Sequence, residues 1–157
     1  DFFISFFNDI YFTSYFLIFT GVILLLSKFV ELKSNSLNLK SVFMVGLIQA
    51  FSVLPGISRS GMTISTATML GVDKEEAFKF SFFLAIPIIL GASILEIPHV
   101  LEMDYIQLSP LLAGFIMSAL SGYIALKLLY NVVINNKFWM FSIYCLSIGG
   151  LGIFYAG

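Results

Sequence analysis

Charge is scarce in this chain and oddly distributed. Lysine and arginine together number 8, and aspartate and glutamate 9, among 157 residues. That is 11% charged residues, against about 25% in an ordinary soluble domain. There is one arginine, Arg59, one histidine, His99, and one cysteine, Cys145. A lone cysteine excludes an internal disulfide, and its apolar surroundings give it the role of a small packed or lipid-facing residue. A net charge of −1 with no basic surface excludes nucleic acid as a partner. A basic n-region and an initiator methionine are both missing at Asp1-Phe2-Phe3-Ile4. No cleavable signal peptide is therefore predicted, and the chain is expected to begin inside a longer protein. Apolar residues, in contrast, abound: 59% of the chain is hydrophobic, including 18 phenylalanines, and mean hydropathy is +1.01. A water-soluble fold of this size could not hide so much apolar surface. An all-α integral membrane protein with the bilayer as its solvent is the expected fold class.

Apolar runs of roughly 20 residues mark membrane spans. They are predicted at about 11–29, 75–96, 108–130 and 138–155. Between the first two lie shorter apolar runs, 41–54 and 62–70, separated by Pro55-Gly56 and each too short to cross alone. Asp73 followed by Glu76 reads as a capping-box-like helix start. Pro87 falls inside the helix this opens, and a loop is expected around residues 98–105. Gly114, Ser118 and Gly122 recur at four-residue spacing and predict a smooth face for close helix packing, as do Gly149, Gly150 and Gly152 less regularly.

Lysine placement decides how 41–70 sits, because lysine and arginine collect in cytoplasmic loops. If that segment enters and leaves on one side, Lys28, Lys33, Lys40, Lys74, Lys79, Lys127 and Lys137 share one face. The other face then holds Asp1, Asp9, Glu102 and Asp104 and no lysine. If the segment crosses once, the lysines are split. A re-entrant helical hairpin is therefore predicted.

Its loop is Pro55-Gly56-Ile57-Ser58-Arg59-Ser60-Gly61. A guanidinium stays charged at any accessible pH, and at membrane depth it needs a cavity or a partner. Gly56 and Gly61 permit tight turns and close approach of backbone N–H groups. The short helix expected to begin near Gly61 presents its positive end to the loop. Arg59 can grip two phosphate oxygens, and Ser58, Ser60 and Thr63 can donate hydrogen bonds. Together these groups suit a phosphate or diphosphate. The competing structural reading is a tightly packed hairpin with Arg59 paired to a carboxylate, which leaves the hydroxyl cluster unexplained. His99, beside Pro98 and Glu96, reads as a solvated interfacial residue.

Gly46-Leu47-Ile48-Gln49-Ala50 and Pro55-Gly56-Ile57-Ser58-Arg59-Ser60-Gly61-Met62-Thr63 together resemble the undecaprenyl-diphosphatase family, also called the bacitracin resistance family. The resemblance continues through Gly71-Val72-Asp73-Lys74-Glu75-Glu76-Ala77, Phe80-Ser81-Phe82-Phe83-Leu84-Ala85-Ile86-Pro87 and Gly91-Ala92, then through the spacing of the remaining spans. It covers the C-terminal part of that family. It implies an inverted-repeat fold in which two re-entrant hairpins meet at mid-membrane, of which this chain would supply one. It further implies a multi-pass protein of the bacterial inner membrane that hydrolyses undecaprenyl diphosphate, a polyprenyl diphosphate lipid, to the monophosphate. That reaction recycles the carrier for cell-wall synthesis, and excess enzyme confers bacitracin resistance.

Carried over onto matching positions, Ser58, Arg59 and Thr63 are the implied catalytic residues. Gly56, Ser60 and Gly61 are the implied diphosphate-binding residues. A divalent cation, Mg²⁺ or Ca²⁺, is implied as well, but the family's glutamate-rich motif and its histidine have no match here, so no metal ligand is expected in this chain. Membrane lipids are the remaining expected partners, and a homodimer is left open. Two other functions compete: a lipid-phosphate transporter or flippase, and a non-catalytic diphosphate-binding half.

Overall fold

A computed structural model describes residues 9–30, 35–101 and 105–156. The sequence positions Asp1, Lys33, Glu102 and Asp104 used in the charge argument lie outside the described residues. Among the described residues six α-helices follow one another: α1 (Ile10–Leu26), which ends in a 3₁₀ turn (Ser27–Phe29), α2 (Leu39–Phe51), α3 (Arg59–Met69), α4 (Lys74–Leu101), α5 (Tyr105–Ile134) and α6 (Met140–Ala156). No strand occurs among the described residues; a single isolated bridge joins Asn35 and Val72. Three stretches, Ile10–Phe29, Lys74–His99 and Ser109–Ile134, are long and apolar enough to cross a membrane. Their surfaces agree: Phe115, Met117 and Tyr123 on α5 and Phe83 and Leu95 on α4 are exposed. Exposed apolar surface on this scale belongs in lipid. The protein is an all-α membrane protein.

The helices start where side chains can cap them. Asp9 accepts a hydrogen bond from Tyr11 N at 2.8 Å and opens α1. Asn38 and Ser41 exchange hydrogen bonds at 2.9 and 3.0 Å, a capping box that starts α2 two residues before the apolar run. At α4 the expected capping box is only half formed. Asp73 Oδ1 does accept from Glu75 N and Glu76 N. Glu76, however, turns away and accepts from Leu37 N at 2.8 Å, tying the α1–α2 connection to α4. Pro87 and Pro98 both lie inside α4, so the loop expected around 98–105 starts later, and α4 runs to Leu101.

The connections gather at one end. Asn35 N donates to Gly71 O at 3.1 Å and Asp73 N to Asn35 O at 3.0 Å. Lys74 Nζ donates to Asn136 Oδ1 in the α5–α6 turn, and Lys28 Nζ stands 4.1 Å from the Trp139 ring centroid. The end of α1, the start of α2, the end of α3, the start of α4, the end of α5 and the start of α6 thus share one face. Lys28, Lys40, Lys74 and Lys137 lie on it, with Lys79 and Lys127 within two turns of it. The lysine-rich face predicted from the hairpin reading is present among the described residues.

Helices α2 and α3, of 13 and 11 residues, are about 20 and 17 Å long at about 1.5 Å per residue. Neither reaches across a hydrocarbon core of about 30 Å. They pack on each other as a hairpin around Val45, Ala67, Val72 and Ala77, with Leu37, Phe80 and Leu84 against them.

The closest packing joins α1 to α6. Cβ atoms added at Gly149 would meet Ile18 Cγ1 at 2.6 Å and Ser14 O at 2.9 Å, and at Gly21 would meet Leu146 Cγ at 2.9 Å. Cys145 is buried in this seam, in the packed role expected of it. The Gly114, Ser118, Gly122 face of α5 behaves otherwise. Nothing lies within 4 Å of a Cβ built at Gly114 or Gly122; α5 packs on α4 near its far end, at contacts such as Phe78 against Tyr130. That expected packing face is unoccupied among the described residues.

Gly149→Ala is therefore expected to lower stability by about 1–3 kcal/mol through overpacking against the Ser14 carbonyl. Gly150→Ala, with open space at its Cβ, should leave it unchanged. Thermal unfolding in detergent compares the two.

Candidate functional site

The hairpin loop docks on α1. Gly56 has φ +87°, and a Cβ there would collide with the Thr13 carbonyl and sit 3.2 Å from Leu17 N. Only glycine combines that backbone angle with that approach. Thr20, fully buried inside an apolar helix, bridges the loop: its hydroxyl accepts from Ser58 N at 3.3 Å and donates to Gly56 O at 3.4 Å. These contacts set the depth of the loop. At about 1.5 Å per residue, Thr20 lies about 9 Å and Thr13 about 20 Å along α1 from its lysine-face end. On the other side Gln49 Nε2 donates to Leu84 O at 3.1 Å, about 15 Å along α4 from Lys74. The loop therefore lies well inside an apolar layer of about 30 Å.

Helix α3 begins earlier than its sequence suggests. Ser58 is the N-cap, its Oγ accepting from Gly61 N at 3.2 Å, so Arg59, Ser60 and Gly61 form the first helical turn instead of the loop. The N–H groups of Arg59 and Ser60 have no acceptor among the described residues, as expected of a first turn. Arg59 is half-buried, and its guanidinium makes no hydrogen bond or ion pair among the described residues. The competing reading, a carboxylate partner for Arg59, finds none there.

Thr63 is placed differently from Ser58 and Ser60. It is buried one turn into α3, where its Oγ1 donates to Arg59 O at 2.9 Å and lies 2.5 Å from Ser81 Oγ of α4. The structure thus gathers Gly56, Ser58, Arg59, Ser60 and Gly61 at one helix start and sets Thr63 behind them. Thr20 stands in none of the motifs quoted above, and Gln49 and Ser81 stand in them without a role of their own. The available signal was a small polar residue inside an apolar span, which bilayer physics turns inward. Gln49 Oε1 and Ser65 Oγ are buried with no hydrogen-bond partner among the described residues.

Chemically, the helix start offers a fixed positive charge, open N–H donors, a helix-dipole end and hydroxyls, the ingredients of an anion site. It offers no metal site: no cluster of three His, Cys, Asp or Glu side chains occurs among the described residues. The residues present do not fit a divalent cation. His99 is exposed, with Nδ1 3.7 Å from Glu96 Oε2 of its own helix, the solvated position expected of it.

The family model for bacitracin resistance protein BacA matches residues 1–151. The chain belongs to the BacA family. Relatives in Methanococcus vannielii and Methanobrevibacter smithii, both named undecaprenyl-diphosphatase, are 41% and 38% identical over 99% and 89% of this chain. The chain covers 61% and 52% of their lengths, between half and two thirds of each. A Methanothermobacter thermautotrophicus relative of the same name, 36% identical, is covered over 86% of its length. The Gly56 to Thr63 segment of this BacA-family chain is thus the helix start described above, docked at depth on α1.

Gly56→Ala should undock the loop, at a cost of about 2 kcal/mol or more from backbone strain and the Thr13 collision. Thr20→Val, which removes only the bridging hydroxyl, should cost about 1 kcal/mol. Denaturant titration in detergent orders the two.

Proposed function

We propose that the complete protein hydrolyses undecaprenyl diphosphate to undecaprenyl phosphate and phosphate, returning the lipid carrier to cell-wall synthesis from the inner membrane. Arg59 and the first turn of α3 hold the diphosphate. The single observation that carries this reading is a guanidinium at membrane depth, at the N-terminal end of a helix, with no carboxylate beside it among the described residues. Such an arrangement is costly unless a mobile anion completes it.

In the reaction, water attacks the terminal phosphorus as its bond to the bridging oxygen breaks, undecaprenyl phosphate leaving with that oxygen; where the Ser58 hydroxyl attacks first, water then hydrolyses the phosphoserine to release phosphate. Arg59 and the N–H groups of Arg59 and Ser60 neutralise charge on the transferred phosphoryl oxygens, stabilisation that counts for more where water is thin. Gly56 and Gly61 let the backbone come close. Thr63, bonded to Arg59 O and Ser81, holds the first turn in register. Exposed apolar helix faces leave the polyprenyl tail in lipid. No His, Asp or Glu side chain hydrogen-bonds Ser58 among the described residues. The general base and the carboxylates for a divalent cation are assigned to the part of the relatives' length that this chain does not span.

That same lack of a base favours a second reading for the chain by itself: it binds lipid diphosphate without cleaving it. A transporter or flippase would share the head-group site and break no bond. Phosphate release by the purified full-length protein separates hydrolysis from both.

Arg59→Ala in the full-length protein is expected to cut phosphate release by at least about 10²–10³-fold. Arg59→Lys should recover little, since a point charge cannot replace a planar two-oxygen fork. Near-normal release in Arg59→Ala would refute the assignment.

A further inference from the structure

At the other end of α3, about 14 Å from Arg59 along the helix, the fold leaves a cavity of about 330 Å³. Lys28, Thr68, Lys74, Asn136, Phe138 and Trp139 are among its walls. Among the described residues its lining contains two ammonium groups and no carboxylate. Lys28 Nζ stands 4.1 Å from the Trp139 ring centroid and Lys74 Nζ donates to Asn136 Oδ1. Asn136 has φ 58°, the only positive φ outside glycine among the described residues. Asparagine takes this angle readily at a helix C-terminus, and Lys137 N closes the turn on Val132 O at 2.9 Å. Asp73, beside Lys74 in sequence, accepts from the N–H groups of Glu75 and Glu76 through its Oδ1. Neither lysine forms an ion pair among the described residues. An ammonium has three donors, so both retain hydrogen-bonding capacity that no described atom takes up.

The cavity opens at the lysine-rich face, where Trp139 and Phe138 mark the boundary between lipid and water. A site with two cations, an amide and, among the described residues, no acid selects a compact oxyanion, and at a membrane surface the abundant one is phosphate. We infer that this cavity binds a phosphate group between Lys28 and Lys74, as a site separate from the Arg59 loop. The source is an anionic phospholipid head group or free phosphate, which share this chemistry. The inference does not depend on the hydrolase reading, since it uses none of the loop residues.

Trp139 is the only tryptophan among these 157 residues, so in this chain its emission reports on the cavity. The purified protein is placed in phosphatidylcholine nanodiscs and titrated in two arms, with increasing phosphatidylglycerol or with inorganic phosphate. A saturable change in Trp139 emission is expected. A response to phosphatidylglycerol alone identifies a lipid head-group site, and a response to both a site that free phosphate can fill. Half-saturation should weaken about fivefold in Lys28→Gln or Lys74→Gln and about thirtyfold in the double variant. Lys28→Arg and Lys74→Arg, which keep the charge, should bind within a few-fold of the parent and guard against loss by misfolding. Lys127→Gln, an exposed lysine outside the cavity, should change nothing. Absence of a saturable response in both arms overturns the site. So does a response that survives the double substitution, or one that Lys127→Gln weakens equally.

Discussion

A helix that lipid cannot solvate organises this molecule. Five of the eleven residues of α3 carry hydroxyls, Ser60, Thr63, Ser65, Thr66 and Thr68, and an arginine begins it. At membrane depth each such group must meet protein or an aqueous cavity, since hydrocarbon offers no hydrogen bonds. The fold answers by surrounding α3. Helix α2 lies alongside, α4 supplies Ser81 to Thr63, α1 supplies Thr20 to the loop, and the 3₁₀ turn closes the lysine-face end. Met62, Thr63, Ile64, Ser65 and Ala67 are buried as a result, whereas α5 shows an almost wholly exposed apolar surface. The most polar helix is inside, and the apolar faces of α4 and α5 are outside, the inversion a bilayer demands.

The same constraint explains which parts were legible in the sequence. Long spans announce themselves by apolar length, so α1, α4 and α5 could be located from composition. The hairpin could be inferred because two short apolar runs flank Pro55-Gly56 and because only a same-side return puts the lysines together. Helix ends were harder. The start of α3 depends on Ser58 turning its hydroxyl onto Gly61 N, a cap that competes with its reading as a free loop donor. Pro98 reads as a breaker, yet α4 runs through it, as membrane helices tolerate when neighbouring groups satisfy the freed carbonyl. Glu76 sits where a capping box wants it but finds Leu37 N instead, a partner 39 residues away that no local pattern reveals. The Gly114, Ser118, Gly122 spacing correctly describes a smooth face. It cannot say what, if anything, lies against it.

The site shows a similar division. Its chemistry was written in one contiguous segment, because an arginine among glycines and hydroxyls inside an apolar chain has few physical uses. Its geometry was not. Thr63 lies on the motif but points its hydroxyl into the α3–α4 interface, so it acts on the arginine's backbone carbonyl from behind. Thr20 lies 38 residues from Ser58 and is the group that fixes the loop to α1. Long-range hydrogen bonds of this kind carry no periodic signature.

Helix α1 is gripped on two sides at the same level. The Thr13 carbonyl receives Gly56 of the loop, and the next carbonyl, that of Ser14, receives Gly149 of α6. Adjacent residues of a helix point about 100° apart, so loop and α6 occupy neighbouring faces of one rigid rod. Both contacts rely on glycine for backbone approach too close for any Cβ. Packed elements of this kind do not deform continuously; they hold one arrangement or shift to another. The position of Arg59 is therefore fixed by a helix pair that contributes no side chain to its chemistry. Displacing α6 by a single methyl at Gly149 moves the surface on which the loop rests. The α1–α6 seam is the foundation that holds a charged group at a depth where, left to itself, it would not stay.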